Sequence, residues 1–379
     1  MTERFDDAVV GAGIMGLAHA YTLARRGRRV VVFERSPRAM MASVRNFGML
    51  WPVGLWAGEW HRRALRSREI WLQVLRESGL WHEETGSLHL AYREDEAAVL
   101  GEFIGDASER GYECEWRDAG RILRQAPLVN PAGLRGGMWS PTEVCVDPRE
   151  VIAGLPGWLA RAFGVRFAFN TAVTNYDRPA VTAGGRRWEA DHLWVCSGED
   201  FQTLYPATFA ESGMIRVKLQ MMRSQAYGPE TRLGPMLAAG LTLCHYPCFE
   251  DCPSLPLLRA RFAQELPEHV RYGIHVMASQ HARGEVTLGD SHEYGDEITP
   301  FDKDEIDQLI LSYLRSFLLL PDLRIASRWQ GVYAKHPHEV VYVSRPADGA
   351  TIIGSPSGRG MTMSFGVAEM VVEKELGRA

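Results

Sequence analysis

Cysteine is scarce in this sequence, with six among 379 residues. The spacing of the six predicts no disulfide framework. Cys244, Cys248 and Cys252 are evenly spaced, but the stretch lacks the CxxC pairs that are typical of zinc and iron–sulfur ligands. We therefore expect free thiols, and the sequence predicts no metal site.

Long apolar runs and a large excess of one charge are also missing. The apolar stretch LILSYLRSFLLL is interrupted by Arg315, so no segment approaches the roughly 18 residues of a membrane span. The net charge is −5 and the one dense basic run, at 24–29, falls where a helix should end, which argues against a nucleic-acid surface. The amino terminus has no signal-peptide pattern, which favours a cytoplasmic protein. The length suits two domains, or one large α/β domain with an insert.

The first 35 residues predict a βαβ unit with a dinucleotide-binding turn. DDAVV and RRVVVFER are strand-like, and GAGIMG opens the helix between them. In this GxGxxG motif Gly11 permits the tight turn, Gly13 lets the backbone approach a pyrophosphate, and Gly16 lets helix and strand pack closely. Glu34 ends the second strand and would bind ribose hydroxyls, which disfavours a 2′-phosphate. NAD and FAD remain equal on these residues.

Further elements follow from periodicity and turn signals. Helices are predicted at 58–77, at 148–165 and after Asp302, where Asp302 and Glu305 resemble a capping box. VRFAFN and AVTNYD are expected to form a strand pair, and strand-like runs dominate from 213 to 298.

A second glycine turn precedes a helix at the other end of the chain, in IIGSPSGRGMTMSFG. Such a helix N-terminus can bind the far end of a long cofactor. FAD is long enough to need both turns, so we favour FAD over NAD.

Together these pieces resemble the FAD-dependent amine and amino-acid oxidoreductases of the D-amino-acid oxidase, glycine oxidase and sarcosine oxidase type. The resemblance covers essentially the whole chain and rests on the βαβ unit, ASVRNFGM, LWVCSGED, GEVTLGD, RWQGVYAKHPH and SGRGMTMSFG. It implies an α/β fold with a Rossmann-like FAD-binding domain (1–84, 145–212 and 326–379) and a discontinuous, mainly antiparallel substrate domain (85–144 and 213–325). RNFGM, SHEYGD, YAKHP and GRGMTMSFG also resemble a subgroup associated with aminophosphonates.

The resemblance implies a set of FAD contacts by position. Val173 is placed by resemblance alone. The set is Gly11, Gly13, Ile14, Met15, Gly16, Glu34, Arg35, Ser43, Val44, Arg45, Asn46, Gly48, Met49, Val173, Gly198, Gly358, Arg359, Gly360, Met361 and Thr362.

The sequence departs from the family where amino-acid-oxidising relatives carry a carboxylate-binding arginine. Tyr333 stands there and supplies no cationic fork, whereas Lys335, His336 and Arg359 lie nearby in sequence. A tetrahedral phosphonate dianion suits several point-charge donors, so an aminophosphonate is favoured over an α-amino acid. The candidates for the substrate site are Lys335, His336, Arg45, Arg223, Tyr333 and Tyr246.

These residues have simpler interpretations as well. Lys335 and His338 fit a solvated loop equally well, Arg45 could pair with a carboxylate at the edge of a core, and His336-x-His338 has no visible third metal ligand. A second departure concerns oxygen, because Thr287 stands where sarcosine-oxidase-like relatives place a lysine. Lys218 is a substitute candidate, although a lysine at a strand edge can simply face water.

The predicted reaction is FAD-dependent oxidative deamination of a small anionic amine related to 2-aminoethylphosphonate, with O2 reduced to H2O2. The alternatives are a glycine, sarcosine or D-amino-acid oxidase or dehydrogenase, and a non-catalytic flavin-binding redox sensor. The sequence predicts no oligomeric state.

Overall fold

The computed structural model describes residues 3–295, 298–354 and 357–377, and it confirms a mixed α/β fold with two large sheets. The strands are β1 (Arg4–Val10), β2 (Val30–Phe33), β3 (Met49–Leu50), β4 (His82–Glu83), β5 (Ser87–Ala91), β6 (Glu115–Asp118), β7 (Gly136–Ser140), β8 (Val144–Val146), β9 (Arg166–Ala168), β10 (Val173–Asp177), β11 (Ala180–Ala183), β12 (Arg186–Val195), β13 (Ile215–Ala226), β14 (Met236–Ala238), β15 (Met277–Gln280), β16 (Glu285–Gly289), β17 (Glu293–Gly295), β18 (Ile325–Lys335), β19 (Val343–Ala347) and β20 (Ala350–Ile353). The helices are α1 (Ile14–Ala24), α2 (Glu59–Ser78), α3 (Glu94–Asp106), α4 (Ala119–Gln125), α5 (Pro148–Phe163), α6 (Pro206–Glu211), α7 (Gly240–Leu243), α8 (Leu255–Glu265), α9 (Pro267–Arg271), α10 (Asp304–Phe317) and α11 (Gly360–Leu376).

The first sheet is built around the predicted βαβ unit. Strand β1 lies between β12 and β2, with both pairings parallel, and β9 and β20 extend the parallel part outwards. All four residues of β2 are buried, as expected for a parallel strand covered on both faces. One core cluster contains α1, α2, α5 and α11, and a second cluster lies around Val181, Leu193 and Ile352.

The second sheet is mainly antiparallel. Its strand order is β17-β13-β16-β15-β14-β5-β7-β6, with β18 also paired to β13 along almost its whole length. Only the β14–β5 pairing is parallel. The division into two domains stays a prediction, but β18 belongs to this second sheet although 326–335 was assigned to the FAD-binding domain.

Two local predictions were wrong. Helix α10 begins at Asp304 with Lys303 at its N-cap, so Asp302 and Glu305 form no capping box. The Lys303 amide instead donates to Gln220 Oε1 at 2.9 Å, and Asp302 forms an ion pair with Lys218. Strands β9 and β10 do not pair with each other, because β9 joins β2 and β10 joins β11.

The C-terminal helix α11 packs against α1 and α2 on the first sheet. The fully buried Trp71 of α2 donates its indole N–H to the carbonyl oxygen of Met361 at 2.7 Å, and its ring meets Phe365 edge-on at 4.9 Å. This contact places the start of α11 beside the glycine turn of α1. Within the described residues, no helix is both long and apolar enough to cross a membrane.

Replacing Trp71 with alanine should lower the free energy of unfolding by about 3–5 kcal/mol, the range for truncating a large buried aromatic side chain. The matched control is Trp116→Ala, since Trp116 is 38% exposed. Chemical denaturation followed by circular dichroism measures both variants. Equal losses in the two would show that the Trp71 contact does not hold α11 in place.

Candidate active site

A long cleft runs past the carboxyl ends of β1, β2 and β12, where ligands of open α/β sheets bind. Its lining extends from Gly11 and Glu34 beside the first sheet to Tyr333 and His292 beside the second sheet.

The glycine turn at one end of the cleft leaves no room for side chains. A Cβ on Gly16 would lie 1.9 Å from the Gly11 carbonyl oxygen, and one on Gly11 would lie 2.6 Å from that of Cys196. Helix α1 begins at Ile14, with Gly13 at its N-cap and no side-chain cap. The Ile14 amide donates to Ser43 Oγ at 3.0 Å. This geometry is that of an anion-binding helix N-terminus.

Glu34 stands at the end of β2 beside this turn. Its Oε2 accepts from the Ala12 amide at 3.0 Å and its Oε1 accepts from the Ser36 amide at 2.9 Å. Each carboxylate oxygen has a second lone pair. The carboxylate is thus held in place and can still accept from ribose hydroxyls.

Most of the predicted FAD contacts line this cleft. Three predicted contacts are not on its wall: Gly16 and Gly48 pack against backbone oxygens, and Val44 packs on the first core. The predicted residues on the wall are Gly11, Gly13, Ile14, Met15, Glu34, Arg35, Ser43, Arg45, Asn46, Met49, Val173, Gly198, Gly358, Arg359, Gly360, Met361 and Thr362.

The segment after β2 is fixed by its own polar side chains. Arg45 donates from Nε to the Met40 carbonyl at 2.8 Å and from Nη1 to the Gln330 carbonyl at 3.0 Å, which ties the segment to β18. Asn46 accepts from the Gly48 amide at 2.8 Å. Among the described residues, Arg45 therefore forms no ion pair with a carboxylate.

A second helix N-terminus reaches the same cleft from the end of the chain. Helix α11 begins at Gly360 with Arg359 at its N-cap and no side-chain cap. Thr362 Oγ1 accepts from the Trp51 amide at 2.9 Å. Two uncapped helix N-termini on one elongated cleft fit a long dinucleotide such as FAD, whose two ends need separate binding elements.

The opposite end of the cleft is rich in aromatic and ionisable side chains. Tyr333 comes from β18, and its ring lies against Gly358, where a Cβ would be 3.2 Å from the ring. Its neighbours on the cleft wall are Tyr246, His245, His275, Asp290 and His292.

The three histidines of this group stack closely. The ring centroids of His245 and His275 are 3.8 Å apart, and those of His275 and His292 are 5.2 Å apart. Burial lowers the pKa of His292 to about 4 and lowers the pKa values of His245 and His275 well below the ordinary value. All three are therefore neutral near pH 7.

Asp290 lies within this histidine group. Its Oδ1 is 3.1 Å from His275 Nε2, although the two groups are not aligned as a regular hydrogen bond. Burial raises the pKa of Asp290 well above its usual value. A carboxyl group in this position needs a cation or a proton to compensate its burial.

Two cationic side chains lie close to the three histidines and Asp290. The guanidinium of Arg359 lies 4.7 Å from the centre of the Trp56 ring, and its Nε is buried without a hydrogen-bond partner. Lys335 Nζ lies 4.7 Å from the centre of the Tyr294 ring. Burial lowers the pKa of Arg359, and burial followed by the charge of Arg359 lowers the pKa of Lys335. Neither cation has a carboxylate in ion-pair distance among the residues that the structure describes.

Three predicted substrate residues, Lys335, His336 and Arg223, are not on the cleft wall. His336 Nε2 donates to the Ser212 carbonyl at 2.9 Å, and its Nδ1 accepts from the amides of His338 and Glu339. Both ring nitrogens are thus occupied by backbone groups. Arg223 is buried, donates to Thr287 Oγ1 at 3.3 Å and packs on Trp329, which leaves it outside the cleft lining.

Lys218 does not take over the place of a flavin-facing lysine. Leu219 and Met221 of β13 line the cleft, whereas Lys218 is not on its wall. Lys218 is buried, donates to the Phe301 carbonyl and forms a 3.1 Å ion pair with Asp302. Thr287 is not on the cleft wall either, and its hydroxyl lies 2.8 Å from His281 Nε2.

The sequence reasoning missed His245, His275, Asp290 and His292. The three histidines come from separate segments, after α7, before β15 and between β16 and β17. Their separations of 30 and 17 residues match no ligand motif. SHEYGD is a family-like stretch in the sequence, but only the folded chain brings its His292 to the other two histidines.

Comparison with known families and proteins adds an independent finding. A family model described as FAD dependent oxidoreductase matches residues 6–374. A glycine oxidase of Geobacillus kaustophilus is 30% identical over 163 residues, which are 41% of this chain and 43% of that protein. A glycine oxidase of Bacillus licheniformis is 27% identical over 213 residues, 52% of this chain and 55% of that protein. The chain therefore matches about half the length of these relatives.

Solved structures extend the similarity over the whole fold. An L-proline dehydrogenase from P. horikoshii superposes with a TM-score of 0.80 at 20% identity, covering 99% of this chain and 94% of that one. The glycine oxidase from Geobacillus kaustophilus gives 0.77 at 19% identity, covering 98% and 94%. At this level of identity the superpositions show the shared fold.

Replacing Gly16 with alanine should abolish FAD retention, because the new Cβ would lie 1.9 Å from the Gly11 carbonyl oxygen. The control is Gly101→Ala in the middle of α3, where a Cβ meets nothing within 4 Å. The ratio of flavin to protein absorbance after purification measures the effect. Normal flavin content in Gly16→Ala would exclude the turn as the cofactor site.

Proposed function

The chain belongs to the family of FAD-dependent oxidoreductases, and from that premise we propose that it oxidatively deaminates a small amine that carries an anionic group. The substrate class that we assign is the aminophosphonates related to 2-aminoethylphosphonate. The observation that supports this proposal most directly is the position of Arg359. Its guanidinium lies on the cleft wall and has no carboxylate partner in the described part of the chain.

Positive charge at the substrate end supports an anionic substrate. Arg359 and Lys335 are close enough for the charge of Arg359 to lower the pKa of Lys335. Two uncompensated cations beside one cleft attract a dianion more strongly than a monoanion. A phosphonate supplies that second charge, whereas a carboxylate does not.

Tyr333 supports a phosphonate over an α-amino acid. It stands where amino-acid-oxidising relatives are expected to carry an arginine, and the ring of Tyr333 packs on Gly358. Burial raises the pKa of Tyr333 well above its ordinary value, so its hydroxyl is a neutral donor. A neutral donor and two cations can surround a tetrahedral group without a planar fork.

In this reaction the bound FAD supplies the acceptor for the hydride that leaves the carbon next to the nitrogen. The residues of the chain bind the anionic end of the substrate, hold its amine in the cleft and exclude bulk water. The oxidised product is an imine, and its hydrolysis by one water molecule gives an aldehyde and ammonia. With O2 as the final acceptor, each turnover releases one H2O2.

A second candidate is a glycine or sarcosine oxidase in which Arg359 binds a carboxylate. The sequence similarity to two glycine oxidases favours it. Arg359 differs from the expected arginine in that it comes from the N-cap of α11 and not from β18. The choice between the candidates therefore depends on the shape of the anion that Arg359 meets.

Aminophosphonates should reduce the bound flavin under anaerobic conditions faster than glycine, sarcosine or D-amino acids. Stopped-flow loss of flavin absorbance measures this, and peroxide formation in air then tests O2 as the acceptor. Reduction by carboxylates alone would overturn the phosphonate assignment. No reduction by any amine would leave a flavin-binding protein without turnover, and reduction without peroxide would indicate a dehydrogenase.

Arg359→Gln should lower kcat/KM for the anionic amine by at least roughly 30-fold, since removing one member of a desolvated charge pair costs about 2–5 kcal/mol. The loss should fall mainly on KM, and an uncharged amine of the same length should be little affected. Arg62→Gln is the control, because Arg62 is exposed on α2. Assays at saturating FAD separate substrate binding from cofactor loss. An unchanged KM in Arg359→Gln would remove Arg359 from the anion site.

A further inference from the structure

We propose that His245, His275 and His292 bind a divalent transition-metal ion, with zinc as the reference case, at the substrate end of the cleft. Asp290 acts beside them as the group that orients His275. This metal site is independent of which amine the enzyme oxidises.

The side chains already lie close to a metal-binding geometry. One ring nitrogen from each histidine can be chosen so that all three lie within 4.8 Å of one another. A tetrahedral ion with bonds of about 2.0–2.1 Å places neighbouring nitrogens about 3.3 Å apart, so the nitrogens need to close by no more than about 1.5 Å. Small rotations of the stacked rings can supply such a shift.

The surroundings of two histidines indicate which of their ring nitrogens is free to bind a metal. His292 donates from Nδ1 to the Gly273 carbonyl at 3.0 Å, which leaves Nε2 as its metal-binding nitrogen. His275 has Nε2 at 3.1 Å from Asp290 Oδ1, and its buried Nδ1 has no partner. Metal-bound histidines usually hold their other nitrogen in one of these two ways, against a backbone carbonyl or a carboxylate.

The backbone fixes the two central residues with respect to each other. The Asp290 amide donates to the His275 carbonyl at 2.9 Å, and the His275 amide donates to the Asp290 carbonyl at 3.3 Å. His292 follows Asp290 by two residues and all three are at most 5% exposed. Two of the three donors, His275 and His292, therefore come from segments that are joined by backbone hydrogen bonds next to β15 and β16.

Charge balance defines what else the ion must bind. A dication compensates the buried carboxyl group of Asp290, but Arg359 and Lys335 add positive charge on the same side. An anionic fourth ligand offsets that charge. Three histidines leave such a position open, as in catalytic zinc sites, and all four residues line the cleft.

The direct test measures metal on the FAD-loaded protein. After treatment with a chelator, the protein is dialysed against Zn²⁺ or Co²⁺, freed of unbound ion and assayed by elemental mass spectrometry. We expect about one ion per chain and a cobalt absorption band typical of nitrogen ligands in a four-coordinate site. A wild-type chain that retains almost no ion would overturn the proposal.

Variants assign the site to these residues. His275→Gln and His292→Gln should abolish the ion and the cobalt band, and Asp290→Asn should weaken metal affinity by roughly 10–100-fold. His338→Gln is the matched control, because His338 is exposed on a turn and should keep the full content. Metal retained by both His275→Gln and His292→Gln would place the ion elsewhere and contradict the assignment.

Flavin content and the thermal unfolding midpoint show whether each variant has folded. The cobalt spectrum of the wild-type protein tests the metal site without any substitution. Because metal content is measured without turnover, a missing ion leaves the proposed amine oxidation standing, and failure with every amine leaves the metal result standing.

Discussion

The architecture of the cleft depends on the position of α11, and that position depends on the buried contact between Trp71 and Met361. The contact lets the two uncapped helix N-termini, of α1 and α11, meet on one cavity although they come from opposite ends of the sequence. Neither helix has a side-chain cap from its own N-cap residue, and free amides at a helix N-terminus attract negative charge. The packing of the first core thus determines which residues meet on the cleft.

The end of the cleft around Tyr333 and Asp290 has a different balance of charges. There the described residues combine two cations, three neutral imidazoles, several neutral tyrosines and one buried carboxyl group in a small volume. Such a group is tolerated in a folded protein only where a ligand, an ion or a proton balances its charge. The excess of cationic and neutral donors points to an anionic partner, whereas Asp290 and the histidines point to a cation. The proposed anionic substrate would balance the cations, and the proposed metal ion would balance Asp290.

The sequence predicted the parts of the molecule that are local. Tight turns and helix starts are formed by residues that are close in sequence. The sequence could therefore predict the glycine turn, Glu34 and the glycines before α11. His336 shows the limit of the same reasoning, since its two ring nitrogens are both engaged by backbone groups that no motif reveals. The group of His245, His275 and His292 could not be predicted, because its members come from separate segments: His275 and His292 flank the paired strands β15 and β16, and His245 follows α7. Pairing between distant strands leaves no periodic signal in a single sequence.

The cleft also has a consequence for the order of events during synthesis. Its wall includes Gly11 near the start of the chain and Met361 and Thr362 near the end of the described residues. A nascent chain on the ribosome can form the βαβ unit early, but the wall formed by Met361 and Thr362 does not exist until α11 has left the exit tunnel. A ligand that contacts both walls can therefore be held fully only after α11 has docked.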